Sequence, residues 1–288
     1  MKDERGVKSP RVPNGRSPCN GTLEPSVSAT SLLPRIGGLR AKTQSPGSHG
    51  KLRERCTRRR SITVRNIPTV VESRMRVKIC GIRSLDEAEG VIEAGADALG
   101  FHIELEHSLC PLPAATASAI ISKLPPFISS VVVTSETDPK KLVRIMKSTG
   151  ATTLQLHKEV SPEMVNAVKT VFFNTKIYVA ISVTGDESIA LAKTFEDSAD
   201  TVILDSMNQE TGARGGTGKT HDWTISRKIV ESTLFPIILA GGLNRDNVAD
   251  AIKAVRPYAV DVNSGVSNPR GTKDFSKVKA FVERAKSA

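Results

Sequence analysis

The stretch Ile237–Val266, IILAGGLNRDNVADAIKAVRPYAVDVNSGV, decides how the chain is read. An apolar run, Ile237–Ala240, passes into Gly241-Gly242, and a segment of helical period opens at Asn244 and runs to Val255. A second apolar run, Ala259–Val262, follows and ends in Asn263-Ser264-Gly265. Two short β-branched runs separated by a helical segment form a βαβ unit, in which the two strands must be parallel.

Between Met75 and this stretch the same alternation recurs. The candidate strands are Val77–Cys80, Ala98–Ile103, Ser130–Val133, Thr153–Leu156, Ile177–Val183 and Thr201–Leu204, which precede the two already given. Eight βα units in about 210 residues match the lower size range of a (β/α)8 barrel. Ser84 with Glu87 makes a capping box ahead of Ala88, Val91 and Ile92, and Gly95 closes that helix. Ser161-Pro162 supplies a cap followed by proline at the first helical position. The expected fold is therefore α/β, a single parallel (β/α)8 TIM barrel over residues 75–288. A doubly wound open sheet is the alternative, but its glycine fingerprint after the first strand is missing.

Residues 1–74 read differently. They hold 16 Lys+Arg and 5 Asp+Glu, which accounts for the whole formal charge of +11; the remaining 25 basic and 25 acidic residues cancel. The basic pI thus says nothing about the barrel. The segment is rich in Ser, Pro, Gly and Arg without sustained apolar periodicity, so it is expected to be a disordered basic extension. Lys51–Arg60 (KLRERCTRRR) could meet nucleic acid phosphates. A plastid or other transit peptide is opposed by Asp3 and Glu4 at the extreme start. The preferred reading is an incidental extension, with Met75 as the natural start of the folded protein and nucleic acid not a partner.

No apolar run is long enough to span a bilayer, so no membrane association is expected. Cys19, Cys56, Cys80 and Cys110 have neither metal-site nor disulfide-framework spacing, which fits a reducing cytoplasm and no metal.

In such barrels the chemistry sits at the C-terminal ends of the strands, with phosphate at the loops after strands seven and eight. Gly241 and Gly242 after strand seven, and Ser264 and Gly265 after strand eight, suit that role. Glycine lets backbone N–H groups approach an anion, and a following helix start adds free donors. Cys80 ends strand one and Asp205 ends strand six. A thiol whose pKa is lowered by positive charge or a helix start can act as a base, and a partly buried carboxyl can stay protonated as an acid. Taken singly, Cys80 also reads as a small core residue and Asp205 as a loop or cap residue.

Several segments, in order, resemble the phosphoribosylanthranilate isomerase family: Val77–Ile82, Glu93–Phe101, Gln155–His157, Leu204-Asp205, Gly215–Thr220 with Asp222-Trp223, Leu239–Asn244 and Val260–Val266. The resemblance implies an Amadori rearrangement in tryptophan biosynthesis, acting on a small phosphosugar. It implies Asp205 as the general acid that opens the furanose ring and Cys80 as the general base that removes the C2′ proton. It further implies no metal or organic cofactor, because the substrate nitrogen is the electron sink. Gly216, Thr217 and Gly218 are expected in a mobile loop, and the protein is expected as a monomer or homodimer.

One position departs from the family. Its arginine for the anthranilate carboxylate falls, counting from Gly100 without gaps, on Leu109, which cannot make a charge-assisted bidentate contact. His107, Arg214 or Arg270 could substitute, the substrate could be another aminosugar or ketose phosphate, or activity could have decayed. In the last case the barrel would be a non-catalytic phosphoribosyl-ligand binder. Cys110 reads as packing.

Overall fold

The computed structural model describes residues 74–206 and 220–288. Within them eight strands run Arg76–Cys80 (β1), Ala98–His102 (β2), Ser129–Thr134 (β3), Thr153–Leu156 (β4), Lys176–Ser182 (β5), Thr201–Asp205 (β6), Ile237–Leu239 (β7) and Ala259–Val262 (β8). Each pairs in parallel with the next, and β8 pairs with β1 through Arg76↔Ala259 to Ile79↔Val262, so the sheet closes into a barrel. The helices are Leu85–Glu93 (α1), Ala114–Ile121 (α2), Pro139–Thr149 (α3), Pro162–Val171 (α4), Glu187–Thr194 (α5), Trp223–Ser232 (α6), Val248–Val255 (α7) and Phe275–Lys286 (α8). The barrel expected from the alternation is the barrel found.

Strand side chains alternate between two environments, as a period of two requires. Ile79, Leu99, Phe101, Leu154, Ile177, Val202 and Val260 point outward into one continuous core shared with the helices. Fully burying each such side chain contributes about 1.5–3 kcal/mol, so this interlayer is the main stabilising mass. Inside the barrel the groups are smaller: Ala180, Ile203, Ile238, Ala240 and Ala259 on one side, Cys80, Val131 and Val133 on the other, with Tyr178 between them.

Helix starts follow the sequence signals with two adjustments. Ser84 caps α1 by accepting the Glu87 N–H at 3.1 Å. The Glu87 carboxylate, however, does not return to Ser84. It accepts the N–H of Arg83 at 2.8 Å and that of Lys273 at 3.1 Å, tying α1 to the segment before α8. Asn244 was expected to open α7, but the regular helix begins at Val248 with Asn247 as its N-cap. Asn244 instead builds a turn, its side chain accepting the Asp246 N–H at 2.8 Å, because Asn competes with helical backbone for local hydrogen bonds. Ser161 and Pro162 start α4 as read. Residues 1–73 and 207–219 lie outside the described residues, and with them the basic extension, Cys19, Cys56, Arg214 and the glycine loop Gly216, Thr217, Gly218.

Candidate active site

The C-terminal ends of the strands open into a cavity of about 480 Å3. Cys80 from β1, Asp205 from β6 and the loop residues Gly241, Gly242 and Ser264 all line it, so one cavity brings together most of the residues singled out in the sequence. Gly265 is not among the lining residues; a Cβ there would run into the Leu243 carbonyl oxygen, so glycine lets the loops after β7 and β8 pack closely. Gly241 and Gly242 both have positive φ, 75° and 67°. A Cβ on Gly241 would also lie 2.5 Å from the Ser206 nitrogen and 3.1 Å from Asp205 Oδ1. Glycine at 241 is therefore what lets the loop after β7 pass directly over the Asp205 carboxyl.

Parity along the strands brings in residues that had been given no role. Lys78 precedes Cys80 by two positions and so points inward too; its Nζ donates to Asp261 Oδ2 at 2.7 Å, with both side chains buried. Asp261 Oδ1 is buried with no hydrogen-bond partner among the described residues. Gln155 and His157 come from the end of β4, and His157 Nε2 lies 4.0 Å from Asp205 Oδ2. Lys273 Nζ donates to Asn263 Oδ1 at 2.7 Å and to Ser267 Oγ at 2.9 Å, bracing the loop after β8.

The environment of Cys80 differs from the expectation of a depressed thiol. Burial pushes its pKa up to about 11, against the opposing pull of Lys78. Desolvation outweighs the pull of Lys78, which also donates to Asp261, whose negative charge adds to the rise. Asp205 is shifted upward, first by burial, with His157 and the Ser206 N–H (2.8 Å) pulling the other way. A carboxyl held in this direction favours its protonated form, as an acid requires.

His102 is the residue that sequence reading missed. It ends β2, is only 5% exposed, and sets its Nε2 3.1 Å from Cys80 Sγ. The sulfur has room because Gly100 faces it in register, where a Cβ would stand 2.5 Å from Sγ. The available signal was a polar residue at the end of an apolar strand, two positions beyond the glycine paired with Cys80. Of the substitutes considered for the missing arginine, His107 is exposed and lines the cavity with φ 56°, whereas Arg270 is exposed and does not line it. Leu109 itself is at the cavity and 80% exposed. Cys110 is a buried free thiol donating to the Gly271 carbonyl at 3.5 Å.

A closed parallel barrel whose rim gathers a thiol, a carboxyl and two glycine-bearing loops is a barrel enzyme built for acid–base chemistry on a small anionic substrate. The family described as N-(5′-phosphoribosyl)anthranilate (PRA) isomerase matches residues 77–284. N-(5′-phosphoribosyl)anthranilate isomerase 2 of Methanosarcina mazei is 39% identical over 213 residues, covering 74% of this chain and 94% of that protein. Among solved structures, a monomeric form of the dimeric Thermotoga maritima enzyme aligns with a TM-score of 0.64 at 30% identity, covering 74% of this chain and all of that one. An isomerase in complex with reduced 1-(o-carboxyphenylamino)-1-deoxyribulose 5-phosphate aligns with a TM-score of 0.63 at 31% identity and the same coverage. The chain belongs to the phosphoribosylanthranilate isomerase family.

Proposed function

We propose that this protein is an isomerase of tryptophan biosynthesis that converts N-(5′-phosphoribosyl)anthranilate to 1-(o-carboxyphenylamino)-1-deoxyribulose 5-phosphate. The observation that carries the reading is that Cys80 and Asp205 open into the same cavity as Gly241, Gly242 and Ser264. The substrate phosphate would sit on the backbone N–H groups of the loops after β7 and β8, whose close packing depends on Gly265. Asp205, held toward its protonated form, gives its proton to the ring oxygen, and the ring opens to a protonated Schiff base. Cys80, as thiolate, takes the C2′ proton; the electron pair moves to the nitrogen and gives an enolamine, which tautomerises to the ketone. No metal or organic cofactor enters this scheme, since the substrate nitrogen receives the electrons. Cytoplasmic localisation fits a thiol that must stay reduced, and both described cysteines are free. Among the described residues no helix is long and apolar enough to cross a membrane.

The test is turnover of N-(5′-phosphoribosyl)anthranilate by the full chain, together with rescue of a tryptophan auxotroph lacking this step. Absence of both, with folded protein, would remove the proposal. Leu109 supports a second reading, an isomerase for a related aminosugar phosphate without the carboxylate, because an exposed aliphatic side chain stands at the cavity. Leu109→Arg separates the two. If the carboxylate lies there, a charge-assisted hydrogen bond of about 1.5–3 kcal/mol lowers KM at least tenfold. Unchanged KM places the carboxylate elsewhere or favours the second substrate. A homodimer or a monomer remains the expected assembly, to be read by light scattering of the eluted protein.

A further inference from the structure

We propose that His102 and Ser108 form a proton relay, its imidazole neutral at both ends, that carries the proton away from Cys80 and returns it, so that Cys80 serves as the base through a thiolate formed on demand. The inference rests on the reading of Cys80 as the C2′ base.

The geometry is a continuous chain. Cys80 Sγ lies 3.1 Å from His102 Nε2, and His102 Nδ1 lies 2.8 Å from Ser108 Oγ. Ser108 Oγ also accepts the Cys110 N–H at 3.0 Å, which fixes the hydroxyl between the buried ring and the cavity that Ser108 lines. Two arrangements satisfy these contacts. In the first, the Cys80 S–H donates to Nε2 and the Nδ1–H donates to Ser108 Oγ. In the second, the Ser108 O–H donates to Nδ1 and the Nε2–H donates to a thiolate. Passing from one to the other breaks the S–H and Nδ1–H bonds and makes Nε2–H and Oγ–H bonds. The proton formerly on the Ser108 hydroxyl leaves to solvent in the cavity. The ring C=N double bond shifts with the tautomer, the S–H electron pair stays on sulfur as the thiolate charge, and nothing is oxidised.

Neutrality is what the surroundings demand. Burial depresses His102 to about 3, and Lys78, His157 and Lys273 push in the same direction, so a lasting imidazolium is disfavoured. Cys80 is pushed up to about 11 by burial and by Asp261, with Lys78 and Lys273 opposing. These four groups come from β1, from just beyond β4, from β8 and from the segment before α8, and together they face the pair. A simple transfer that left a charged ring is therefore unfavourable, whereas a tautomer exchange leaves no net charge on the ring. A fixed hydrogen bond would orient the thiol equally well. A ring with two nitrogens, one facing the sulfur and one facing a hydroxyl, serves both protonation states by exchanging tautomers.

Two variants of the full chain test this. His102→Gln can still meet the thiol but cannot exchange tautomers, and Ser108→Ala removes the outer end of the relay. For His102→Gln, kcat should fall about 100-fold with KM within about threefold, in the range of lost acid–base catalysis. The activity that remains should climb with pH beyond the wild-type plateau. Ser108→Ala should lose about tenfold in the same sense. Independently of turnover, alkylation of Cys80 by iodoacetamide, followed on its own peptide by mass spectrometry, should need a higher pH in both variants. Unaltered alkylation and pH–rate profiles would overturn the relay. If His102→Gln fails to fold, the same two profiles of Ser108→Ala decide. A wild-type protein without isomerase activity would defeat the functional reading while leaving the alkylation profiles to judge the relay.

Discussion

Replacing Gly100 with alanine adds one methyl group against the Cys80 thiol, the proposed base. Gly100 is paired with Cys80 across β1 and β2, and its carbonyl accepts the N–H groups of Gly81 at 2.9 Å and Ile82 at 3.0 Å. The new Cβ would lie 2.5 Å from Cys80 Sγ and 3.0 Å from Cys80 Cα, where ordinary contact begins at 3.4 Å. The sulfur must therefore retreat by about 1 Å and the β1 backbone by a few tenths of that. Overpacking of this kind costs about 1–3 kcal/mol. At about 2 kcal/mol, a domain of this size loses roughly 4–8 °C in Tm and stays folded at 25 °C. A displacement of about 1 Å at a reacting atom costs on the order of 100-fold in rate. It also breaks the 3.1 Å contact to His102. The expected outcome is a kcat lower by about 100-fold with KM within about threefold, since the phosphate loops are untouched. Steady-state kinetics with thermal denaturation on the same preparation would read both. A kcat within threefold of wild type would refute the claim that sulfur position at this register governs the chemistry.

Three further outcomes follow from the buried charges. Asp205→Asn should nearly abolish turnover while leaving the protein at least as stable near pH 7, because the ionised carboxyl of Asp205 is disfavoured by burial; a raised pKa means its stability contribution is lost as pH rises through it, so the variant's advantage should vanish in acid urea titrations. Lys78→Met should destabilise by about 3–5 kcal/mol by stranding Asp261, whereas Lys78→Met with Asp261→Leu should recover most of that loss in urea melts yet remain poorly active, since the thiol loses the cation that pulls its pKa down. His221 is held near about 4 by burial, so its contribution to stability is present above about 6.5 and lost as pH falls toward about 4, worth up to about 3 kcal/mol; His221→Gln should flatten that stretch of the pH–stability curve, and an unchanged slope would count against it.

The barrel was legible because each local signal agreed with the next. β-branched runs of four to seven residues, capping serines at 84 and 161 and glycine at 95 all describe the same repeating unit. The start of α7 was misread because Asn244 is a good cap and an equally good turn former, and only the three residues to Asn247 decide between them. That the ends of β1, β6, β7 and β8 would meet at one cavity was legible because a parallel barrel puts its strand ends on one rim. The direction of the Cys80 shift was not legible. It depends on how completely the thiol is buried, and on the charge of Asp261, brought beside it from the opposite end of the chain.

The least legible part is the segment following Gly100, and the reason is geometric. The register that sets Cys80 opposite Gly100 also lets His102 reach back to the sulfur. Beyond it the backbone enters positive φ at Glu104 and at His107, conformations that side chains with a Cβ seldom adopt and that sequence does not announce. Those bends return Ser108 to the His102 ring and turn Leu109 outward at the cavity. One loop thus accounts both for the Ser108 partner of the His102 ring and for an aliphatic side chain at the cavity. A His102→Gln variant and a Leu109→Arg variant should therefore separate cleanly, the first acting on kcat and its pH dependence and the second on KM alone. Substantial coupling between the two in a double variant would mean that the loop moves as a unit, and that the two ends of the site cannot be assigned independent roles.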